Sequence, residues 1–277
     1  MLRSILVGLD GSKYSVAARE LGIHWAKATG ALLVGLGIVD EPAILRPEPS
    51  PIAPGTLKGE RDAAKLHDAR RLVEEALEQF TLRCSEAGIS SKELEETGSP
   101  TEQIIEESQR FDLILLGKQT YFKFETQEGP DQTLTEVLRS SPRPVVTVPE
   151  VPSTGNNVLI AYDGSVQAAR ALQLFLYSGI PVDGECHILS IKDDKVEAAK
   201  TGDRAAQYLD SHGKKSKIHA LTPHGTDAEL ILREIAAHQA GMLVMGAFGS
   251  NSLQEFIFGS TTRQLLQKSP VPIFLSH

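Results

Sequence analysis

Residues 4–12 read SILVGLDGS, and residues 157–165 read NVLIAYDGS. In both, an apolar run ends at Asp-Gly-Ser and an Ala-rich stretch at helical spacing follows, so one unit occurs twice, at an offset of 163 − 10 = 153 residues. An internal repeat constrains a fold more tightly than any single residue does. Two further blocks keep the same order. GSPTEQIIEESQRFDLILLG, from Gly98 to Gly117, returns as GTDAELILREIAAHQAGMLVMG, from Gly225 to Gly246, at an opening offset of 225 − 98 = 127. Ser141-Pro142-Arg143-Pro144 before VVTV returns as Ser269-Pro270-Val271-Pro272 before IFLS, at 269 − 141 = 128.

The fall in offset places extra residues in the first copy, between its second strand and second helix. The stretch 41–59, EPAILRPEPSPIAPGTLKG, is dense in proline, cannot donate a regular backbone ladder and is expected to be a long irregular loop, either a passive insertion or a lid. Elsewhere strands and helices alternate. The runs ILVGL, LILL, VLIAY and LVM are apolar on both faces, as in parallel strands covered by helices on both sides. Each copy therefore reads as a doubly wound α/β unit of about five strands, with the helix before Ala87 expected to begin at Lys65. The link VPSTG, residues 151–155, divides the chain into domains 1–150 and 156–277.

A length of 277 residues fits two domains, and 41% hydrophobic with 23% charged residues is an ordinary folded composition. The formal net charge of −8 argues against a protein that coats nucleic acid. Cys84 and Cys186 have no clustered spacing, which points to a reducing compartment. No apolar run approaches the ~18 residues of a membrane span, and the N-terminus reads as a first strand. A cytoplasmic protein with no membrane partner is expected.

In an open parallel sheet, ligands bind beyond the carboxyl ends of the strands, where strand order reverses. After LVM in the second copy comes Gly246-Ala247-Phe248-Gly249, then nine residues, then Gly259-Ser260-Thr261 opening the last helix. Glycines let the backbone approach a bulky anion, and a helix N-terminus offers unpaired N–H groups with about half a positive charge. Hydroxyls of Ser260 and Thr261 add donors, so the pattern suits a di- or triphosphate. It is neither a Walker A loop nor a dinucleotide fingerprint.

On these residues, VLIAYDGS, the Gly225–Gly246 block, G-x2-G-x9-G-S at Gly246–Ser260 and the closing SPVPIFL, the chain resembles a tandem member of the universal stress protein family. The resemblance spans all but the Pro-rich insertion and the link. It implies two Rossmann-like domains and ATP binding, with or without Mg2+, at Gly246, Gly249, Gly259, Ser260 and Thr261. It also implies that Asp163 hydrogen-bonds the adenosine and that Ile191 lines the adenine pocket. Read from the residues alone, Asp163 is either a ribose ligand or the Asp of a turn that starts a helix, and Ile191 rests on the family alone. The resemblance further implies that the two copies pair through PVVTVP and PIFLSH; a homodimer is left open.

The first copy departs from the pattern. Gly117 matches Gly246, but Thr120 takes the place of the second glycine, and Asp131-Gln132 stands where the second copy has Gly259-Ser260. One nucleotide per chain, in the second copy, is expected. Six of the eight histidines lie in the second copy, His187, His212, His219, His224, His238 and His277. None is spaced to put two ligands on one face, so no metal site is expected. No G-x-S-x-G elbow and no catalytic base stand out. The leading expectation is an ATP-binding stress-response regulator. The alternatives are a slow ATPase or adenylyl-handling enzyme at the same site, and a pairing scaffold with structural nucleotide.

Overall fold

Apolar runs too short for helices, separated by amphipathic stretches long enough for them, give ten strands and nine helices among the described residues. The structure, a computed structural model, describes residues 1–46, 55–122, 129–247 and 259–276. They form two compact units, residues 3–142 and residues 1–2 with 143–277.

In the first unit, β1 (Ser4–Leu9), α1 (Lys13–Thr29), β2 (Leu32–Val39), α2 (Glu41–Ile44), α3 (Gly55–Ala87), β3 (Ser91–Thr97), α4 (Pro100–Ser108), β4 (Leu113–Gly117) and α5 (Thr133–Ser140) follow in order. The strands lie β3-β2-β1-β4, all parallel, with Leu6 beside both Val34 and Ile114. Ile5, Leu6, Val7, Leu113, Ile114 and Leu115 are fully buried, as continuous apolar strands require. β3, SKELEET, is the edge, and its outward glutamates guard it against further pairing.

Both described ends of the Pro-rich insertion are helical, while residues 47–54, where the irregular loop is expected, lie outside the described residues. Asp40 caps α2 by accepting the Ala43 N–H at 3.1 Å, with Pro42 in the first turn where its missing N–H costs nothing. At the far end, α3 begins at Gly55, ten residues before the expected Lys65, because no proline follows Pro54 until Pro100.

The second unit contains β5 (Val145–Val148), β6 (Asn157–Ala161), α6 (Val166–Ser178), β7 (Cys186–Ile191), α7 (Lys195–Ser211), β8 (Ser216–Leu221), α8 (Asp227–Ala237), β9 (Ala240–Gly246), α9 (Ser260–Lys268) and β10 (Ile273–Ser276). The order is β5-β10-β9-β6-β7-β8. All neighbours are parallel except β5, which runs antiparallel to β10 with Val146 opposite Phe274. The Met1 ammonium donates to the Tyr177 carbonyl at 2.9 Å. From β6 the chain moves outward to β7 and β8, then crosses back to β9 on the other side of β6. Strand order therefore reverses between β6 and β9, where a crevice opens at the carboxyl ends.

Candidate functional site

The turn after β6 is built by three residues in sequence. Gly164 takes φ +81°, a conformation that a side chain would strain. The Asp163 carboxylate accepts the Ser165 N–H at 2.8 Å, and the Ser165 hydroxyl caps α6 by accepting the Ala168 N–H at 3.1 Å. Asp10-Gly11-Ser12 repeats this in the first unit, with Gly11 at φ +73° and the Ser12 N–H 3.0 Å from Asp10. Both aspartates thus form the turn. One Asp163 oxygen is used that way, and the residue stays exposed at the mouth of the crevice.

The crevice is a pocket of about 310 Å³, at the lower end of the range for small-molecule sites. Asp163, Ile191, Gly246, Gly259, Ser260 and Thr261 all line it, so six of the seven expected site residues are brought together. Gly249, the seventh, lies outside the described residues. Leu189, Ile191, Ile231 and Met245 supply an apolar surface, while Asp163, Asp227, Ser165, Ser260 and Thr261 supply polar groups. Burial raises the Tyr162 phenol above its ordinary range; Arg204 opposes this and the Asp163 charge adds to it.

The N-terminus of α9 gives the pocket its anion-directed end. Its N-cap, Gly259, has no side chain to accept the first N–H groups, its first turn holds no acidic residue, and Lys268 sits in the last turn. The first intrahelical bond from this end is the Arg263 N–H to the Gly259 carbonyl. Ser260, Thr261 and Thr262 therefore present N–H groups with no intrahelical partner. By contrast, α6 and α8 are capped by Ser165 and Thr226, the latter in a full capping box with Glu229. The buried Thr262 hydroxyl donates to the Ala247 carbonyl at 3.1 Å and ties α9 to the end of β9.

Gly246 has a packing reason as well as a position in the pocket. A Cβ there would fall 2.8 Å from backbone and side-chain carbons of Gln167 on α6. Gly117 is in the same predicament, 2.6 Å from the Tyr14 Cβ on α1. The shared glycine lets the first helix of each copy close onto the neighbouring strand, whether or not a ligand follows.

In the first unit the matching ends of β1 and α5 are hydrogen-bonded by residues of its own chain. Asp131 accepts the Phe122 N–H at 2.9 Å, the Thr133 N–H at 3.0 Å and the Thr120 hydroxyl at 2.5 Å. Its carboxylate thus occupies the N-terminal end of α5, the place corresponding to the open end of α9. Tyr121 donates its N–H to Asp10 at 2.6 Å, and its ring stacks on Tyr14. Phe122 is buried against Gly8. Asp10 is consequently 3% exposed, and burial raises its carboxyl above the usual range despite hydrogen bonds from Ser12, Tyr121 and Ser15.

The sequence signature that describes the universal stress protein family matches this chain twice, over residues 1–149 and 155–277. The chain belongs to the universal stress protein family. Universal stress protein Slr1230 of Synechocystis sp. is 29% identical over 218 residues, which cover 77% of this chain and 74% of that one. Universal stress protein MJ0531 of Methanocaldococcus jannaschii is 23% identical over 121 residues, 43% of this chain and 68% of that one. In three dimensions, the crystal structure of a universal stress protein from Archaeoglobus fulgidus aligns with a TM-score of 0.71 at 23% identity. It covers 98% of this chain and 97% of its own, so the two share a fold. This universal stress protein is accordingly a tandem of two Rossmann-like α/β domains.

Several pocket residues escaped the sequence pattern, among them Asp227, Tyr162 and Leu189. Asp227 was within reach, since it opens the helix that follows β8 at the same sheet edge. Tyr162 and Leu189 carry no signal that separates them from other strand-end residues.

Proposed function

We propose that this universal stress protein binds one ATP per chain, in the domain spanning residues 156–277, and that occupancy of that site is its regulatory signal in stress. The observation that carries the reading is the contrast between two helix N-termini: α9 opens onto a pocket without a cap of its own, whereas α5 is occupied by Asp131. Phosphates fit the first, because N–H groups and the helix dipole there face negative charge. The adenine is placed against Ile191 and Leu189, and the ribose within reach of Asp163. Among the described lining residues none is Lys or Arg, and two are carboxylates. Mg2+ between Asp163 or Asp227 and the phosphates is therefore part of the reading, since a hard cation takes carboxylate and phosphate oxygens.

Domain 1–150 is read as the degenerate partner, paired to the second through the closing strands. No helix among the described residues is long and apolar enough to cross a membrane. A cytoplasmic site of action accords with two cysteines that remain free thiols. Calorimetric titration of the full chain with ATP, with and without Mg2+, tests the proposal. One equivalent bound, and lost on substituting Ser260 by Asp, is expected; two equivalent sites or none overturns it.

A further inference from the structure

Local spacing gives no pair of metal ligands in the second copy, yet the folded chain gathers three histidines from three separate elements. β7 and β8 run parallel with Leu189 opposite His219, so His187, two residues before Leu189, shares a sheet face with His219. His238 is the C-cap of α8, held in place by the Asn157 side-chain amide, which donates to its carbonyl at 2.8 Å. The ring centroids of His187 and His219 lie 5.2 Å from one another, and those of His238 lie 4.5 and 4.0 Å from them.

One ring nitrogen from each of the three lies within 4.8 Å of the others. His187 Nδ1 and His219 Nε2 are 2.9 Å apart. A tetrahedral zinc ion with Zn–N bonds of about 2.05 Å needs its nitrogens about 3.3 Å apart, so small side-chain rotations bring the set onto an ion.

A second observation points the same way. His187 is 5% exposed, and its Nε2 is buried without a hydrogen-bond partner, the Glu185 carboxylate being 3.7 Å off. With Nδ1, which faces His219, given to an ion, the ring proton sits on Nε2, the nitrogen nearest the Glu185 carboxylate, as in other metal-bound imidazoles backed by an acceptor. Glu234 accepts from or faces His238 Nε2 at 3.1 Å, the carboxylate–histidine arrangement that orients a ligand ring and leaves its Nδ1 for the ion.

We propose that His187, His219 and His238 form a site for one divalent transition-metal ion, zinc being the best match, with a fourth position left to water. Three imidazoles without an oxygen ligand favour zinc and its neighbours over magnesium or calcium. The site is separate from the pocket at the strand ends. His187 precedes Ile191 by four residues on the same face, about 13 Å along the strand.

The full chain, stripped with EDTA and free of nucleotide, is titrated with ZnCl2 by calorimetry and with CoCl2 in the visible. One zinc per chain is expected, with the intense visible bands of a four-coordinate cobalt ion. His219→Asn and His238→Gln, at half-buried positions, should each weaken zinc at least tenfold with circular dichroism unchanged. His224→Asn, on the exposed surface, should leave binding as it was. Zinc bound equally well by the His219→Asn/His238→Gln double variant, or no zinc bound by the native chain, overturns the proposal. If the variants fail to fold, the native cobalt spectrum decides, since an octahedral spectrum excludes this site.

Discussion

The Asp10 carboxylate accepts the Tyr121 backbone N–H at 2.6 Å, and this contact draws the segment after β4 across the end of β1. In the second copy the matching Asp163 faces an open pocket. The repeated turn is the same in both, and the difference lies in what reaches it. In the first copy that segment is organised by Asp131, which serves the α5 N-terminus as an internal anion.

Removing that anion should loosen the first domain without creating a second nucleotide site. Asp131→Ala deprives the Phe122 and Thr133 N–H groups and the Thr120 hydroxyl of their acceptor. Loss of a cap alone is worth roughly 1 kcal/mol, and buried N–H groups left unpaired add to it, so a loss of about 2 kcal/mol is expected in urea denaturation. Calorimetry on the same variant should still find one ATP per chain, because the Tyr121 N–H still covers Asp10 at the end of β1.

A charge at the open helix should act in opposite directions on stability and on binding. Ser260→Asp places a carboxylate at the α9 N-terminus, where it complements the dipole by roughly 0.3–1 kcal/mol. The same carboxylate about 5 Å from a phosphate charge costs roughly 3 kcal/mol at an effective dielectric of 20, or about a hundredfold in affinity. Raised thermal stability together with lost ATP binding is the expected pair of results. Lowered stability, or binding retained, would show that the phosphates lie elsewhere.

The repeat, the alternation of strand and helix, and the gathering of Gly246, Gly259, Ser260 and Thr261 at one sheet edge were legible because each is local or recurs at fixed spacing. The Asp-Gly-Ser turn was legible too, and the structure uses both aspartates as turn acceptors. The α3 start at Gly55 was hidden by the prolines before it, although none lies within the helix. The histidine cluster was illegible for a different reason. Its members come from β7, β8 and the end of α8, and only the pairing register of the two strands and the packing of the helix bring them within reach. Asp131 was visible as a broken motif, but its role as an anion substitute depends on the path of Thr120 to Phe122.

The glycine shared by both copies separates packing from binding. Ala at Gly246 puts a Cβ 2.8 Å from Gln167, and Ala at Gly117 puts one 2.6 Å from the Tyr14 Cβ. Overpacking of this kind costs about 1–3 kcal/mol, so both variants should unfold at lower temperature by similar amounts in thermal scans. Only Gly246→Ala should also weaken ATP. If Gly117→Ala is fully stable while Gly246→Ala is not, the symmetry of the packing argument fails.

Acidification should favour Asp10 in the folded state. Burial raises its carboxyl above the unfolded value, so the folded chain holds a proton there that the unfolded chain releases. Its contribution to stability is fully present below the unfolded value of about 3.9 and is lost as pH rises through the raised folded value. Asn at the same position cannot titrate, which isolates the effect. Measured in urea at pH 7 and again at about pH 4, close to the unfolded value, the wild type should gain stability relative to Asp10→Asn as the pH falls. A difference that stays constant between the two pH values would mean that Asp10 is as easily ionised in the folded chain as in the unfolded one, and that the hydrogen bonds from Ser12, Tyr121 and Ser15 fully offset its burial.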